Sequence, residues 1–318
     1  MIMKILFFGT GRFAEIILEK LIRQLADKKL VEIVAVVTKI DQPADRHLNL
    51  KESLVKTLAH QNNLPILQPV NLKDLSFTKT VQDFGAFLLI ATDYGKIIPQ
   101  EILNLATLGA INVHPSLLPQ YRGPSPIETA ILNNDQKTGT SIMMIDPEID
   151  HGPIIYQKEI PIEENDNTTS LEIKLAELSV PLLIKTIQDI QNSNLKTYEQ
   201  DHRQATFSKI IKKEDGQINW SDDAQIINQQ IKAYLAWPTS FSKYHTGSTC
   251  MVEKRLKIKE AKVITHQDEP GKLSIIEKSL IIGCGQNSLI LERVLPEGGK
   301  EMTGYQWYLG HREVASLI

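Results

Sequence analysis

Two cysteines in 318 residues, Cys250 and Cys284, are too few for a disulfide framework or a zinc site of the CxxC kind. That excludes the small stapled secreted folds and points to a reducing compartment. No apolar run approaches the roughly 20 residues that a membrane span needs, and MIMKILFFGT passes straight into strand-like residues with no leader pattern. A cytoplasmic protein without a membrane partner is expected. Charge of one sign is scarce as well: 35 Lys and Arg stand against 38 Asp and Glu, a net charge of −3. Such a balance argues against wholesale coating of nucleic acid, but the charge is unevenly spread. From residue 206 onward 15 Lys and Arg face 13 Asp and Glu, so the excess acid lies in the remainder. Internal repeats and low-complexity segments are missing too.

What is present is alternation. KILFFG (4–9) reads as a buried strand, FAEIILEKLIRQL (13–25) as an amphipathic helix and VEIVAVV (31–37) as the next strand. A polar stretch (38–49) and a second helix lead to AFLLIA (86–91), AINVH (110–114) and TSIMMID (140–146). Apolar strands alternating with helices predict an α/β fold with a doubly wound, mostly parallel sheet covered on both faces. A long helix follows, with Leu171, Leu175, Leu178 and Leu182 on one stripe and N-cap candidates in NDNTTS. After the polar stretch 191–205 the pattern changes. One helix, starting near Ser221 and carrying Ile227, Ile231 and Tyr234, precedes short strands at 256–263, 272–277, 280–284 and 288–295. Regular short strands with glycine-containing turns predict a small β-barrel. The expected organisation is a domain at 1–190, a linker at 191–205 and a barrel domain at 206–318.

GTGRFA (9–14) satisfies the dinucleotide fingerprint, since it follows a strand and opens a helix. An acidic residue should then end the second strand to hold a ribose. That strand ends VVTK, and Asp41 comes only beyond it. A tight βα turn of the doubly wound fold explains the glycines better than an NAD oxidoreductase does.

The chemistry concentrates in INVHPSLLPQYRGPSP (111–126). Residues i and i+2 of a strand share a face, so Asn112 and His114 project together at a strand end, where open α/β sheets bind ligands. An Asn amide is a neutral donor suited to an oxyanion on a carbonyl under attack, and an imidazole can take a proton from an attacking amine. A carboxylate should orient that ring and favour its charged form, and DPEIDHG (146–152) offers Asp146, Glu148, Asp150 and, as a further imidazole, His151. No Ser or Cys nucleophile is evident, which fits direct acyl transfer to an amine.

INVHPSLLPQYRG followed by a D-x-G at 150–152 resembles the core of the folate-dependent formyltransferases. The likeness runs in order along the whole chain through FFGTGRFA, VVTKIDQPADR, LPILQPVNLKD, DYGKIIPQEIL, SIMMIDPEIDHGPII, ATFSKIIKKEDGQINWS and PEGGKEMTGYQWYLGHR. KKEDGQINW and AWP (236–238) in the second domain resemble the branch that acts on methionyl-tRNA. The resemblance implies a Rossmann-like catalytic domain followed by an OB-like tRNA-binding barrel, in a monomer that needs no metal. It implies 10-formyltetrahydrofolate as co-substrate and initiator methionyl-tRNA as acceptor, in translation initiation. It assigns Asn112 to oxyanion stabilisation, His114 to proton transfer and Asp150 to setting the state of His114. Ser116, Leu117, Leu118 and Pro119 would contact the folate. Three positions depart from the family: Gly11 stands where proline is usual, Pro115 where a small residue is usual, and the insertion QPADRHLNLK is less basic and less rich in glycine. An amino sugar or another small amine is the alternative acceptor, a formyl-folate hydrolase another outcome of the same chemistry. A catalytically idle RNA-binding protein is disfavoured by the presence of Asn112, His114 and Asp150 together.

In KRLKIKEAK (254–262), Arg255, Lys257 and Lys259 alternate with Leu256 and Ile258. Strand periodicity places the three cations on one face, as either a solvated exterior or a stripe for phosphates. Given the resemblance, this stripe and Arg46 are expected to contact tRNA, with Lys51, Lys212 and Lys213 as the cations to examine next.

Overall fold

The computed structural model describes residues 2–25, 31–43, 50–85, 87–246 and 252–318. Two compact units emerge, one made of 1–126, 137–161 and 172–209, the other of 127–136, 162–171 and 210–318. Residues 191–205 thus lie within the first unit.

The first unit opens with β1 (Met3–Phe8), α1 (Arg12–Leu25) and β2 (Val31–Val37), then the short antiparallel pair β3 (Gln42–Pro43) and β4 (Leu50–Lys51). α2 (Leu54–Gln61), β5 (Ile66–Leu67), α3 (Leu75–Asp83), β6 (Phe87–Ala91), α4 (Gln100–Leu103) and β7 (Ala110–His114) follow. After α5 (Pro126–Leu132), which from residue 127 belongs to the second unit, come β8 (Lys137–Met144), β9 (Ile154–Pro161) and the long α6 (Thr168–Gln191), which belongs to the first unit from Glu172 onward. The sheet has the order β5-β2-β1-β6-β7-β8-β9. Its first five strands are parallel; β8 runs antiparallel to β7, and the edge strand β9 runs antiparallel to β8. Leu6, Phe8, Leu89 and Ala91 form one buried face with Phe77, Val81 and Ile102. Ile5, Phe7, Leu88 and Ile90 alternate with them and are equally inaccessible. Full burial on both faces is why these strands read as continuous apolar runs. In α6 the buried line runs through Leu171, Leu175, Val180, Leu183 and Ile187, while Leu178 and Leu182 are half-buried.

The second unit is built around α7 (Ala224–Ala233), which starts at an Asp223 cap whose side chain accepts the Gln225 N–H, a contact that stabilises a helix by about 1 kcal/mol. Ile227 and Ile231 are buried as their spacing requires. Its strands are β10 (Phe241–Thr246), β11 (Val252–Ile264), β12 (Leu273–Ile276), β13 (Ser279–Gly283), β14 (Ser288–Pro296) and β15 (Met302–Thr303), before α8 (Gly304–Leu309). They form an antiparallel sheet in the order β10-β11-β14-β13-β12, with β15 on β14. Register shifts around Glu260 bend the long β11, as bulges do, and curl the sheet into the expected OB-like form. Trp220, Ile227, Tyr244, Leu256, Ile258, Leu289 and Trp307 fill its core. Burial pushes the Cys284 thiol there up to about 12, which leaves it inert as a nucleophile. Among the described residues no helix is long and apolar enough to cross a membrane.

Candidate active site

Asn112 and His114 sit on β7 with two residues' spacing, half-buried and 4% exposed respectively. The intervening Val113 faces away, its carbonyl taken by Thr92 Oγ1 at 3.1 Å. The next strand, β8, turns back antiparallel, so Met144 lies opposite Ile111 at the start of β7. The loop 145–153 must therefore return along β7 to bring an acid to this pair. Gly152 makes that return possible, because a Cβ there would lie 2.1 Å from the Met144 carbonyl oxygen.

Of the candidates in DPEIDHG, Asp150 is the one that arrives. Its Oδ1 accepts the Asn112 amide N–H at 3.1 Å, and its Oδ2 accepts the Gly123 N–H at 2.8 Å while lying 3.6 Å from His114 Nδ1. Asp146 is occupied elsewhere, holding His151 Nδ1 at 2.6 Å and the Glu148 N–H at 3.0 Å. His114 Nε2 lies 2.9 Å from the Tyr121 carbonyl oxygen. A carbonyl only accepts, so Nε2 carries a proton, and in the neutral ring Nδ1 is the free base facing the carboxylate. One N–H of Asn112 is anchored on Asp150, which orients the amide and leaves its second N–H to donate. The arrangement can stabilise charge on a carbonyl oxygen and accept a proton beside it. Tyr121 and Gly123 were missed by sequence reasoning because they act through backbone atoms; the only signal was the glycine of QYRG.

The SLLP loop is knitted to the sheet. Ser116 and Leu118 are buried, Leu117 and Pro119 half-buried. Ser116 Oγ donates to the Gln120 carbonyl at 2.6 Å, the Leu118 N–H donates to Ser141 Oγ at 3.1 Å, and Gln157 donates to the Leu118 carbonyl at 2.7 Å. At the GTGRFA turn, a Cβ on Gly11 would lie 2.0 Å from Asp93 Oδ2, so the proline usual in the family cannot stand there without moving a carboxylate. That carboxylate also opposes a bound pyrophosphate. Asp41 is engaged by Lys56 at 2.6 Å and Gln68 at 2.8 Å, a contact set that holds its carboxyl below the usual range. Neither feature suits an NAD site.

In β11, Leu256 and Ile258 are fully buried while Arg255, Lys257 and Lys259 lie on the other face, each half-buried. Arg255 stacks over the Phe241 ring at 4.2 Å. Lys259 Nζ donates to the Leu235 carbonyl at 3.1 Å, and burial draws its ammonium below the usual lysine range. Lys51, Lys212 and Lys213 are exposed. Arg46 lies outside the described residues.

Residues 3–187 match the formyl transferase family model, and residues 210–312 match that of the formyl transferase C-terminal domain. The chain is 35% identical over 308 residues to a methionyl-tRNA formyltransferase of Thermodesulfovibrio yellowstonii, covering 97% of this chain and 96% of that one. To a methionyl-tRNA formyltransferase of Staphylococcus epidermidis it is 36% identical over 315 residues, covering 98% and 97%. Among solved structures, an N-formyltransferase from Helicobacter canadensis, in complex with folinic acid and dTDP-3-aminofucose, aligns over the whole of both chains with a TM-score of 0.63 at 20% identity, a likeness of fold. With both family models in sequence order and more than a third of residues shared with full-length relatives such as the staphylococcal protein, the chain belongs to the methionyl-tRNA formyltransferase family.

Proposed function

We propose that this enzyme transfers the formyl group of 10-formyltetrahydrofolate to the α-amino group of methionine esterified to initiator tRNA, with Asn112, His114 and Asp150 as its catalytic residues. The observation that carries the assignment is one carboxylate, that of Asp150, holding the Asn112 amide at 3.1 Å and facing His114 Nδ1 at 3.6 Å. The donor set fits the co-substrate: an amide N–H is available for the formyl oxygen, and in the loop that follows β7 Leu117 and Pro119 offer half-buried apolar surface for the folate ring, anchored by Ser116 and Leu118. When bound, the folate supplies an electrophilic formyl carbon on a weakly basic nitrogen.

Asn112 donates to the formyl oxygen as negative charge grows there, a contact of the kind whose loss slows acyl transfer by about 10²- to 10³-fold. His114 accepts the proton of the attacking amine at Nδ1, and the imidazolium so formed is held between the Tyr121 carbonyl and the Asp150 carboxylate. The new bond joins the amine nitrogen to the formyl carbon, the bond from that carbon to the folate nitrogen breaks, and the proton passes to the departing nitrogen. Formylmethionyl-tRNA and tetrahydrofolate result. No enzyme nucleophile enters: the nearest hydroxyl in sequence, Ser116 Oγ, is buried and given to the Gln120 carbonyl.

In this proposal the barrel domain contributes Arg255, Lys257 and Lys259, and the insertion contributes Arg46, as contacts to tRNA phosphates, in the cytoplasm where translation begins. The test is formyl transfer from 10-formyltetrahydrofolate to charged initiator tRNA, with a nucleotide-linked amino sugar as the competing acceptor. Activity on the tRNA is expected. Activity on the sugar alone would overturn the acceptor and keep the chemistry.

A further inference from the structure

We infer that Gln200 is a positioning residue for Asp150, acting from a polar segment that carries no motif. The inference rests on the role given to Asp150 above. Asp150 holds its backbone in the left-handed region, with φ of +49°, a conformation that is unfavourable for residues other than glycine by about 1 kcal/mol or more. In that conformation its side chain meets Asn112, His114 and Gly123 at once, and contacts that hold the backbone there support all three. Gln200, 5% exposed, donates from Nε2 to the Asp150 carbonyl at 3.0 Å and to the Gly152 carbonyl at 2.7 Å, gripping the peptide on both sides of His151.

The other end of the same amide grips the second loop of the site. Gln200 Oε1 accepts from Arg122 at 3.2 Å through Nε and at 2.7 Å through Nη2. Arg122 is 4% exposed and lies between Tyr121, whose carbonyl takes His114 Nε2, and Gly123, whose N–H takes Asp150 Oδ2. The amide orientation is dictated by chemistry: a guanidinium only donates and carbonyls only accept, so a flipped Gln200 would set donor against donor and acceptor against acceptor. His202 Nδ1, 2.8 Å from Arg122 Nη2, must likewise be an acceptor. One side chain therefore fixes the spacing between the loop that carries the acid and the loop that orients the base.

Gln200→Leu would strip a buried arginine of its main acceptor and two carbonyls of their donor, and risks unfolding. Gln200→Glu is the decisive variant. It keeps an acceptor for Arg122, now as an ion pair, and turns an oxygen toward the two carbonyls, so the grip on the Asp150 peptide is replaced by repulsion. In an enzyme that melting shows to be folded and that keeps its folate affinity, single-turnover formyl transfer to methionyl-tRNA should slow by about 10²-fold, the scale expected for a misplacement near 1 Å. In the Asp150→Asn background the same change should add little, because its effect runs through the lost carboxylate. A rate within about threefold of the unaltered enzyme, or a full multiplicative loss in the Asp150→Asn background, overturns the inference. Should Asp150→Asn alone keep its rate, the role of Asp150 falls first and the inference with it. A slow Asp150→Asn beside a fast Gln200→Glu removes the inference alone.

Discussion

Replacing Asp150 by Asn exchanges an oxygen for an NH₂ and changes two things at the site. The carboxylate accepts from Asn112 at 3.1 Å and from Gly123 at 2.8 Å. An amide can satisfy only one of these donors, so in either orientation one hydrogen bond becomes a donor facing a donor. The change also removes the negative charge that stands 3.6 Å from His114 Nδ1. At an effective dielectric of about 20, opposite unit charges at that separation attract by about 4 to 5 kcal/mol. Partial solvent access to Asp150 and incomplete proton transfer in the transition state reduce this to about 3 kcal/mol, equivalent to a rate loss of about 10²-fold. Stability should fall by about 1 kcal/mol, because the amide oxygen can keep the Gly123 contact while the Asn112 amide is left facing a donor. The assay is single-turnover formyl transfer to methionyl-tRNA at saturating folate, with thermal melting as the control for folding. A well-folded Asp150→Asn that slows less than about fivefold would show that the carboxylate does not support charge on the imidazole, and the assignment of His114 Nδ1 as the base would fall with it.

Asn112→Ala should slow the single-turnover step by about 10²- to 10³-fold while folate affinity holds, since a donor aimed at a developing oxyanion acts mainly in the transition state; the reverse pattern would make Asn112 a binding residue. Glu172, half-buried in α6, has its carboxyl pushed up to about 7 by burial first and by the Asp93 charge second, from an ordinary value of 4.5. A carboxyl raised on folding favours the fold most below its unfolded value and withdraws that support as pH climbs through about 7, so Glu172→Gln should stabilise the protein by about 3 kcal/mol near pH 8 and scarcely at all near pH 4. Equal melting shifts at both pH values would contradict this. Changing Arg255, Lys257 and Lys259 together to Gln should weaken tRNA binding and lower the steepness of log K against log salt by about two, with Lys259 contributing least because its ammonium is committed to the Leu235 carbonyl; an unchanged slope would return the stripe to a solvated exterior.

Much of this site was legible in the sequence because strand periodicity is rigid. An alternation of two residues puts Asn112 and His114 on one face whatever the rest of the chain does, and the same rule separates Leu256 and Ile258 from the cations of β11. The choice among Asp146, Glu148 and Asp150 was settled from residues alone only by resemblance. It depends on β8 running antiparallel, which reverses the chain and makes the loop 145–153 travel back along β7. Strand direction is fixed by pairing register, and TSIMMID carries the same apolar run in either direction. The first strand of the second unit, β10, was missed for a related reason: in FSKYHT a buried serine and a half-buried lysine interrupt the alternation.

Gln200 marks where such legibility ends. Its partners lie 48 to 78 residues away along the chain, and two of the contacts are to carbonyl oxygens that any residue could have supplied. A polar residue in a polar stretch gives no periodic signal, so the segment 191–205 reads as a linker until the burial of Arg122 is known. Burial is the informative quantity, because a guanidinium withdrawn from water demands acceptors for its donors, and the acceptors must come from whatever segment lies beside it. Gln200 and His202 answer that demand, and the main chain pairs beside them: the Arg122 backbone N–H donates to Thr206 O at 2.9 Å, and Arg122 O accepts the Ser208 N–H at 2.8 Å. On the proposal made for Gln200, the geometry at Asp150 is inherited from the burial of Arg122.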